Sequence, residues 1–176
     1  MRYFSGFCLK EEEELFDFWL KSANSYTIAG FSYGAIKAIN YVLKSKKRVD
    51  RLILISPAYF NDKSESFKKM QLLYFKKNSK QYIDNFLENI TNGSMVDLTQ
   101  YQHNGTYDEL KELLYYNWQK DKLTQLQNRG VEIEVILGEN DKIIDSKSAL
   151  DFFKNVSTTY YIKDANHILL ASEIIK

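Results

Sequence analysis

Ser32, Asp141 and His167 are the residues of this chain whose types and spacing fit acyl-transfer chemistry. Ser32 lies in Gly30-Phe31-Ser32-Tyr33-Gly34, a G-x-S-x-G pentapeptide. Tyr26-Thr27-Ile28-Ala29 before it is short, β-prone and apolar, and residues 35–43 behind it have helical spacing. A strand, a sharp turn carrying Ser and a helix make a nucleophile elbow. The two glycines leave room for the close strand–helix crossing, and Ala35 keeps the next position small. The elbow exposes the Ser32 hydroxyl at the end of the sheet. The Tyr33 N–H then faces the same space, at a helix N-terminus where developing negative charge is favoured. The plainer alternative is a glycine-flanked serine in an ordinary β–α turn; the flanking strand and helix favour the elbow.

A serine hydroxyl is a poor nucleophile until a base, usually His, takes its proton, and a carboxylate orients that base. His167 follows the last strand, in Asp164-Ala165-Asn166-His167, where the order Ser…Asp…His puts the base. His103 falls in a polar loop and reads as an exposed residue. The acid belongs after the preceding strand, in Gly138-Glu139-Asn140-Asp141. Asp141 is preferred for its place just past a Gly-x-x turn; Glu139 and Asp145 compete, and Asp164 reads as a turn former. Turns after neighbouring parallel strands converge on one sheet edge, which brings Ser32, Asp141 and His167 together. A second oxyanion donor belongs after the first strand, in Ser5-Gly6-Phe7-Cys8, where the Phe7 N–H is the candidate. Cys8 reads as a small buried thiol.

The elements that must position these groups follow an alternating pattern. Residues 2–4 are a short strand, and 11–22 a helix whose acidic run 11–14 reads as a solvated start. Arg51-Leu52-Ile53-Leu54-Ile55-Ser56 is a continuous apolar run, as in a strand covered on both faces. Residues 131–137 and 158–162 are further strands; 146–154 and 168–176 are helical. The pattern predicts an α/β fold with a mostly parallel sheet. The stretch 58–128 breaks the alternation. It contains helical segments at 66–77, 80–90, 107–117 and 118–128 around a polar loop at 92–105. Inserted between two sheet strands, where one crossover needs one helix, this reads as a helical lid within a single domain spanning 1–176.

The 176 residues suffice for one domain with a real core. The net charge of +1 and only four arginines, Arg2, Arg48, Arg51 and Arg129, argue against nucleic-acid binding. Cys8 is the only cysteine, so no intramolecular disulfide is expected, and no Cys/His cluster suggests a metal or other cofactor. No apolar stretch approaches the roughly 20 residues of a membrane span. The N-terminus reads as free of a signal peptide, and a cytoplasmic location is expected.

The elbow, the Gly-Glu-Asn-Asp turn and the Ala-Asn-His loop together resemble the α/β-hydrolase superfamily, in a truncated form with the first sheet strands absent. Within it, the chain is most similar to the small esterases, found in some Helicobacter-type bacteria, that demethylate pimeloyl-ACP methyl ester in biotin synthesis. There a Gly-Trp-Gly-like oxyanion loop follows a strand; Gly6-Phe7-Cys8 stands in that place here, and Ser5 replaces a histidine often found before the glycine. The unit between oxyanion loop and elbow is reduced to one helix. The resemblance implies a serine esterase with Ser32 as nucleophile, His167 as base, Asp141 as its orienting acid, and the Phe7 and Tyr33 N–H groups as oxyanion donors. It implies an acyl carrier protein as the bearer of the substrate. Lys68, Lys69, Lys76 and Lys77, with Lys63 and Lys80 nearby, would face that acidic partner. Phe67, Met70, Leu73, Tyr74 and Phe75 are candidates for an acyl channel; the plainer readings are a solvated helix face and ordinary core. An acyl thioesterase, a broad short-chain carboxylesterase and a non-catalytic hydrolase-like binding protein are the alternatives.

Overall fold

The computed structural model of the chain describes residues 1–171. Five strands form one sheet: β1 Arg2–Phe4, β2 Thr27–Phe31, β3 Arg51–Ile55, β4 Glu132–Gly138 and β5 Thr158–Ile162. Their spatial order is β1-β2-β3-β4-β5 and every pairing is parallel. All five therefore end on the same edge. The central strands are buried because both faces are covered. On one face Ile28, Leu52, Leu54, Ile133, Val135 and Leu137 join a core with α2 (Tyr33–Lys44) and α7 (Ser146–Phe153). On the other, Ala29, Phe31, Ile53, Ile55 and Ile136 pack against Phe16, Leu20 and Ile168. A strand that alternates between two apolar layers needs side chains that are apolar at every position.

Between β3 and β4 the chain forms four helices: α3 Glu65–Lys77, α4 Ser79–Thr91, α5 Tyr107–Tyr115 and α6 Lys120–Asn128. They match the expected segments closely. The helix α3 packs on α4 and α5, whereas α6 packs on β4 and α2. Capping explains the starts: Ser64 accepts from the Phe67 N–H, Asn78 from that of Gln81, and Thr106 with Glu109 forms a capping box. The fourth helix starts two residues later than expected, since Trp118 is held elsewhere. Its indole N–H donates to Ala58 O at 2.9 Å and its backbone N–H to Asn61 Oδ1 at 3.1 Å.

Two expected helices differ. In place of a helix over 11–22 there is a 3-10 turn, Glu13–Phe16, then a single helical turn, α1 Asp17–Leu20. Glu11 has φ 59° and Glu12 turns inward, so the acidic run is not simply a solvated face. In place of a helix start at 168, residues 168–171 form a turn and a bridge that pairs Ala171 with Ala165. The remainder of that expected helix, 172–176, lies outside the described residues. Among the described residues no helix is long and apolar enough to cross a membrane.

Candidate active site

Ser32 sits between β2 and α2 with φ 52° and ψ −113°, a conformation that L-residues occupy only when their surroundings force it. The forcing contacts are visible. Its N–H donates to Ile55 O at 2.8 Å, and its carbonyl accepts from the N–H groups of Ala35 and Ala58, both at 3.1 Å. A Cβ on Gly30 would collide with the Gly34 carbonyl and lie 2.8 Å from Ala35 N. A Cβ on Gly34 would collide with Phe4 O and lie 2.7 Å from Ser5 O. The elbow thus needs both glycines, one for its own turn and one for the approach of the chain after β1.

The three residues singled out by sequence meet in one row. His167 Nε2 is 3.0 Å from Ser32 Oγ, and His167 Nδ1 is 2.6 Å from Asp141 Oδ2. The arrangement suits an Nδ1–H that donates to the carboxylate and an Nε2 that accepts from the hydroxyl. The other carboxylate oxygen, Oδ1, accepts from the N–H groups of Ile143 (2.7 Å) and Ile144 (3.1 Å). Asp141 is therefore held by its own turn. The Ser32 hydroxyl is not exposed as the elbow alone suggests: Ser32 is 2% accessible and His167 is fully buried. The imidazole sits on the hydroxyl and packs against the Phe31 ring, with centroids 5.0 Å apart.

The competing acids are engaged elsewhere. Glu139 accepts from the Asp164 N–H, and Asp145 caps α7 through the Ser148 N–H. That N–H also draws the Asp145 carboxyl below its ordinary range. Asp164 occupies a positive-φ turn, and His103 lies exposed in its loop. Asn166 has a role that spacing did not reveal. Fully buried, it accepts from the Ile168 and Leu170 N–H groups, both at 3.1 Å, and donates to Thr91 O. It thereby fastens the loop carrying His167 to the end of α4 and stops a helix from forming there.

The loop after β1 lies against the elbow, as the contacts of Gly34 with Phe4 and Ser5 require. Gly6 faces the Phe31 ring, 2.8 Å from where its Cβ would be. Across this loop runs an antiparallel bridge, Leu9 with Gln102. Lys10 N–H donates to Tyr101 O and His103 N–H to Cys8 O, both at 2.8 Å. Burial pushes the Cys8 thiol up to about 12; a thiol so held is not a nucleophile at neutral pH. Tyr33 reaches α5: its hydroxyl donates to Glu112 Oε2 at 2.5 Å, and Lys37 lies 4.1 Å from its ring centroid.

Glu12 is fully buried, and its Oε1 accepts from Gly6 N–H at 2.8 Å and Tyr3 OH at 3.0 Å. Burial raises its pKa, and the hydrogen bonds from Gly6 and Tyr3 only partly oppose that. A folded-state pKa above the unfolded one gives stability that is complete below the ordinary carboxylate range, near 4.3. That stability is lost as pH rises through the folded value. The melting temperature of Glu12→Gln, measured against wild type, is accordingly expected to improve as pH rises above about 4.3 and to level off once pH has passed the folded-state value. A constant difference across that range would show that Glu12 does not titrate differently on folding.

A cavity of about 660 Å³ opens beside the acid turn. Phe60, Phe67, Phe86, Leu113 and Ile143 line its apolar side; Gln81, Asn85, Lys77 and Lys142 line the polar one. Of the expected channel residues, Phe67 and Tyr74 do border it. Met70 and Leu73 point to solvent, while Phe75 is buried against Phe7 and Tyr82. The lysines of α3 do not form one outward face: Lys77 borders the cavity, Lys69 pairs with Glu65, and Lys68 and Lys76 lie over the rings of Tyr115 and Tyr107. Among the described residues no cluster of His, Cys, Asp and Glu could hold a metal ion.

The architecture is the α/β-hydrolase fold, in a small version built on five strands. No family model and no curated relative matches the sequence. Among solved structures, naproxen esterase (carboxylesterase NP) from Bacillus subtilis shares the fold with 22% identity and a TM-score of 0.54. That match covers 84% of this chain and 55% of the esterase, so the chain spans little more than half of that structure's length. MenH from S. aureus matches with 18% identity and a TM-score of 0.53, over 88% of this chain and 66% of its own. BioG from Haemophilus influenzae matches with 14% identity and a TM-score of 0.59, over 95% of this chain and 87% of its own. At such identities the likeness is one of fold.

Proposed function

We propose that the chain is a serine carboxylesterase, with the methyl ester of pimeloyl-ACP as its substrate. The observation that carries this reading is the hydrogen-bonded row Ser32–His167–Asp141 on a strained elbow. Ser32 Oγ attacks the ester carbonyl while His167 Nε2 takes its proton. The tetrahedral oxyanion lies at the N-terminus of α2, where the Tyr33 N–H meets it, with the Phe7 N–H as second donor. Collapse expels methoxide, which takes the proton from His167 and leaves as methanol. Water, activated by the same imidazole, then releases the acid and restores Ser32. Asp141 keeps the imidazole in its donating tautomer and stabilises the charged form. Each oxyanion donor contributes about 3 kcal/mol in such sites.

The likeness to BioG, which extends over most of both chains, supports the carrier-linked substrate. So does the basic α3. In this reading 58–128 is the lid, and the cavity beside Asp141 receives the acyl chain. The deciding experiment incubates pimeloyl-ACP methyl ester with wild type and with Ser32→Ala and resolves ester from acid by gel shift. Conversion by wild type alone is expected. Ester left intact by a wild type that still cleaves p-nitrophenyl esters would replace this substrate with a free ester or thioester.

Charge reversal tests the partner. Replacing Lys68, Lys69 and Lys76 with Glu, and leaving Lys77 at the cavity untouched, is expected to slow turnover of the carrier-bound ester by about tenfold or more. Hydrolysis of p-nitrophenyl butyrate is expected to stay unchanged, and the wild-type advantage to shrink as salt rises. Equal losses on both esters would remove α3 from the carrier surface.

A further inference from the structure

The chain segment after β1 has to hold one N–H toward Ser32, yet it is a short glycine-containing loop with Cys8 at φ 61°. Phe4, the last residue of β1, and Ser5, the first of the loop, are pressed on the elbow helix at Gly34, and Gly6 is pressed on the Phe31 ring. These contacts place the loop; they do not set the rotation of its peptide planes. A hydrogen bond does. Gly6 N–H, one peptide before the Phe7 N–H, donates to Glu12 Oε1 at 2.8 Å, and the same oxygen accepts from Tyr3 OH.

We infer that Glu12 is a positioning residue for the second oxyanion donor, acting through Gly6 to aim the Phe7 N–H at the oxyanion. The inference rests on the serine esterase reading above. Stability alone does not account for such a residue. Glu12 is fully buried, and its second oxygen, Oε2, has no hydrogen-bond partner among the described residues. An unsatisfied buried polar atom is costly, so the carboxyl is a poor choice for packing alone, although an apolar replacement would in turn orphan the Gly6 N–H and the Tyr3 hydroxyl. Where a core breaks its own rules, function is the usual reason. The charge logic agrees. Both donors converge on Oε1, and burial shifts the group toward its neutral form. A neutral carboxyl keeps the bond to Gly6 without setting a negative charge beside a developing oxyanion. The groups around it are Tyr3, Ser5, Gly6 and, near Tyr3, Glu13. None is a cation that would favour the carboxylate.

The test compares Glu12→Met, Glu12→Gln and Glu12→Asp on p-nitrophenyl butyrate, with Ser32→Ala as the blank. It also measures the affinity of a trifluoromethyl ketone, whose adduct carries an oxyanion. For Glu12→Met the expected result is a folded protein with kcat down on the order of a hundredfold and KM little changed. Ketone affinity is expected to fall by a similar factor. Glu12→Gln, which keeps an acceptor for Gly6, is expected to restore kcat to within a few-fold. Glu12→Asp, one methylene short, is expected to resemble Glu12→Met and serves if that variant does not fold. Full kcat in Glu12→Met or Glu12→Asp, or lost kcat with unchanged ketone affinity, would overturn the inference alone. A wild type without Ser32-dependent turnover would overturn the esterase reading and this inference with it.

Discussion

Ser32→Ala is expected to lower kcat for p-nitrophenyl butyrate by a factor on the order of 10⁴ to 10⁶ while leaving the fold intact. The size follows from the chemistry. In the proposed mechanism the hydroxyl is the atom that forms the acyl intermediate, and His167 and Asp141 act only through it. For that reason His167→Ala should cost about as much, and the double variant little more than either. Among the described residues the hydroxyl's hydrogen bond is to His167 Nε2, and replacing one oxygen by hydrogen leaves the Cβ and the backbone in place. Ser32→Gly should lose the same activity yet melt no lower than Ser32→Ala, because glycine accepts a φ of 52° without strain. Residual hydrolysis within tenfold of wild type in Ser32→Ala would remove Ser32 as the nucleophile.

Gly34→Ala should be the most damaging small substitution in the chain. One added methyl would overlap the Phe4 carbonyl oxygen and come within 2.7 Å of that of Ser5. Both are backbone atoms, so no side chain can swing aside. Either β1 and its loop retreat from α2 or the elbow shifts against β3. The expected cost is about 4 kcal/mol or more, seen as insoluble protein or a collapse of the melting temperature. Gly93→Ala is the control: nothing lies within 4 Å of its Cβ position, so its cost is confined to the φ of 82°. A soluble Gly34→Ala with wild-type melting would mean that β1 does not approach the elbow as described.

The sheet and the reacting residues are legible in the sequence for a shared reason. Arg51-Leu52-Ile53-Leu54-Ile55 has no polar face, so it must be covered on both sides. Parallel strands covered on both sides end at one edge, and residues just past their ends must meet. Ser32, Asp141 and His167 are all of that kind. What escapes sequence reading is decided by single tertiary hydrogen bonds. Glu12 looks like a member of a solvated acidic run; only the loop folded back over it makes it a buried acceptor. Residues 168–171 look helical until Asn166 takes the N–H groups of Ile168 and Leu170. Trp118 looks like a helix start until its indole finds Ala58 O. No periodicity carries such facts.

The bridge between the loop after β1 and the stretch around Gln102 joins the two segments into one mechanical unit. Two main-chain hydrogen bonds, Lys10 N–H to Tyr101 O and His103 N–H to Cys8 O, make this bridge around Leu9 and Gln102. With Ser32 2% accessible, an ester reaches the hydroxyl only after some covering segment gives way. In an esterase built in this manner, lifting the 101–103 strap pulls on the same peptide run that supplies an oxyanion donor. Admission and reaction become an interlock: a molecule open enough to load is not assembled to react.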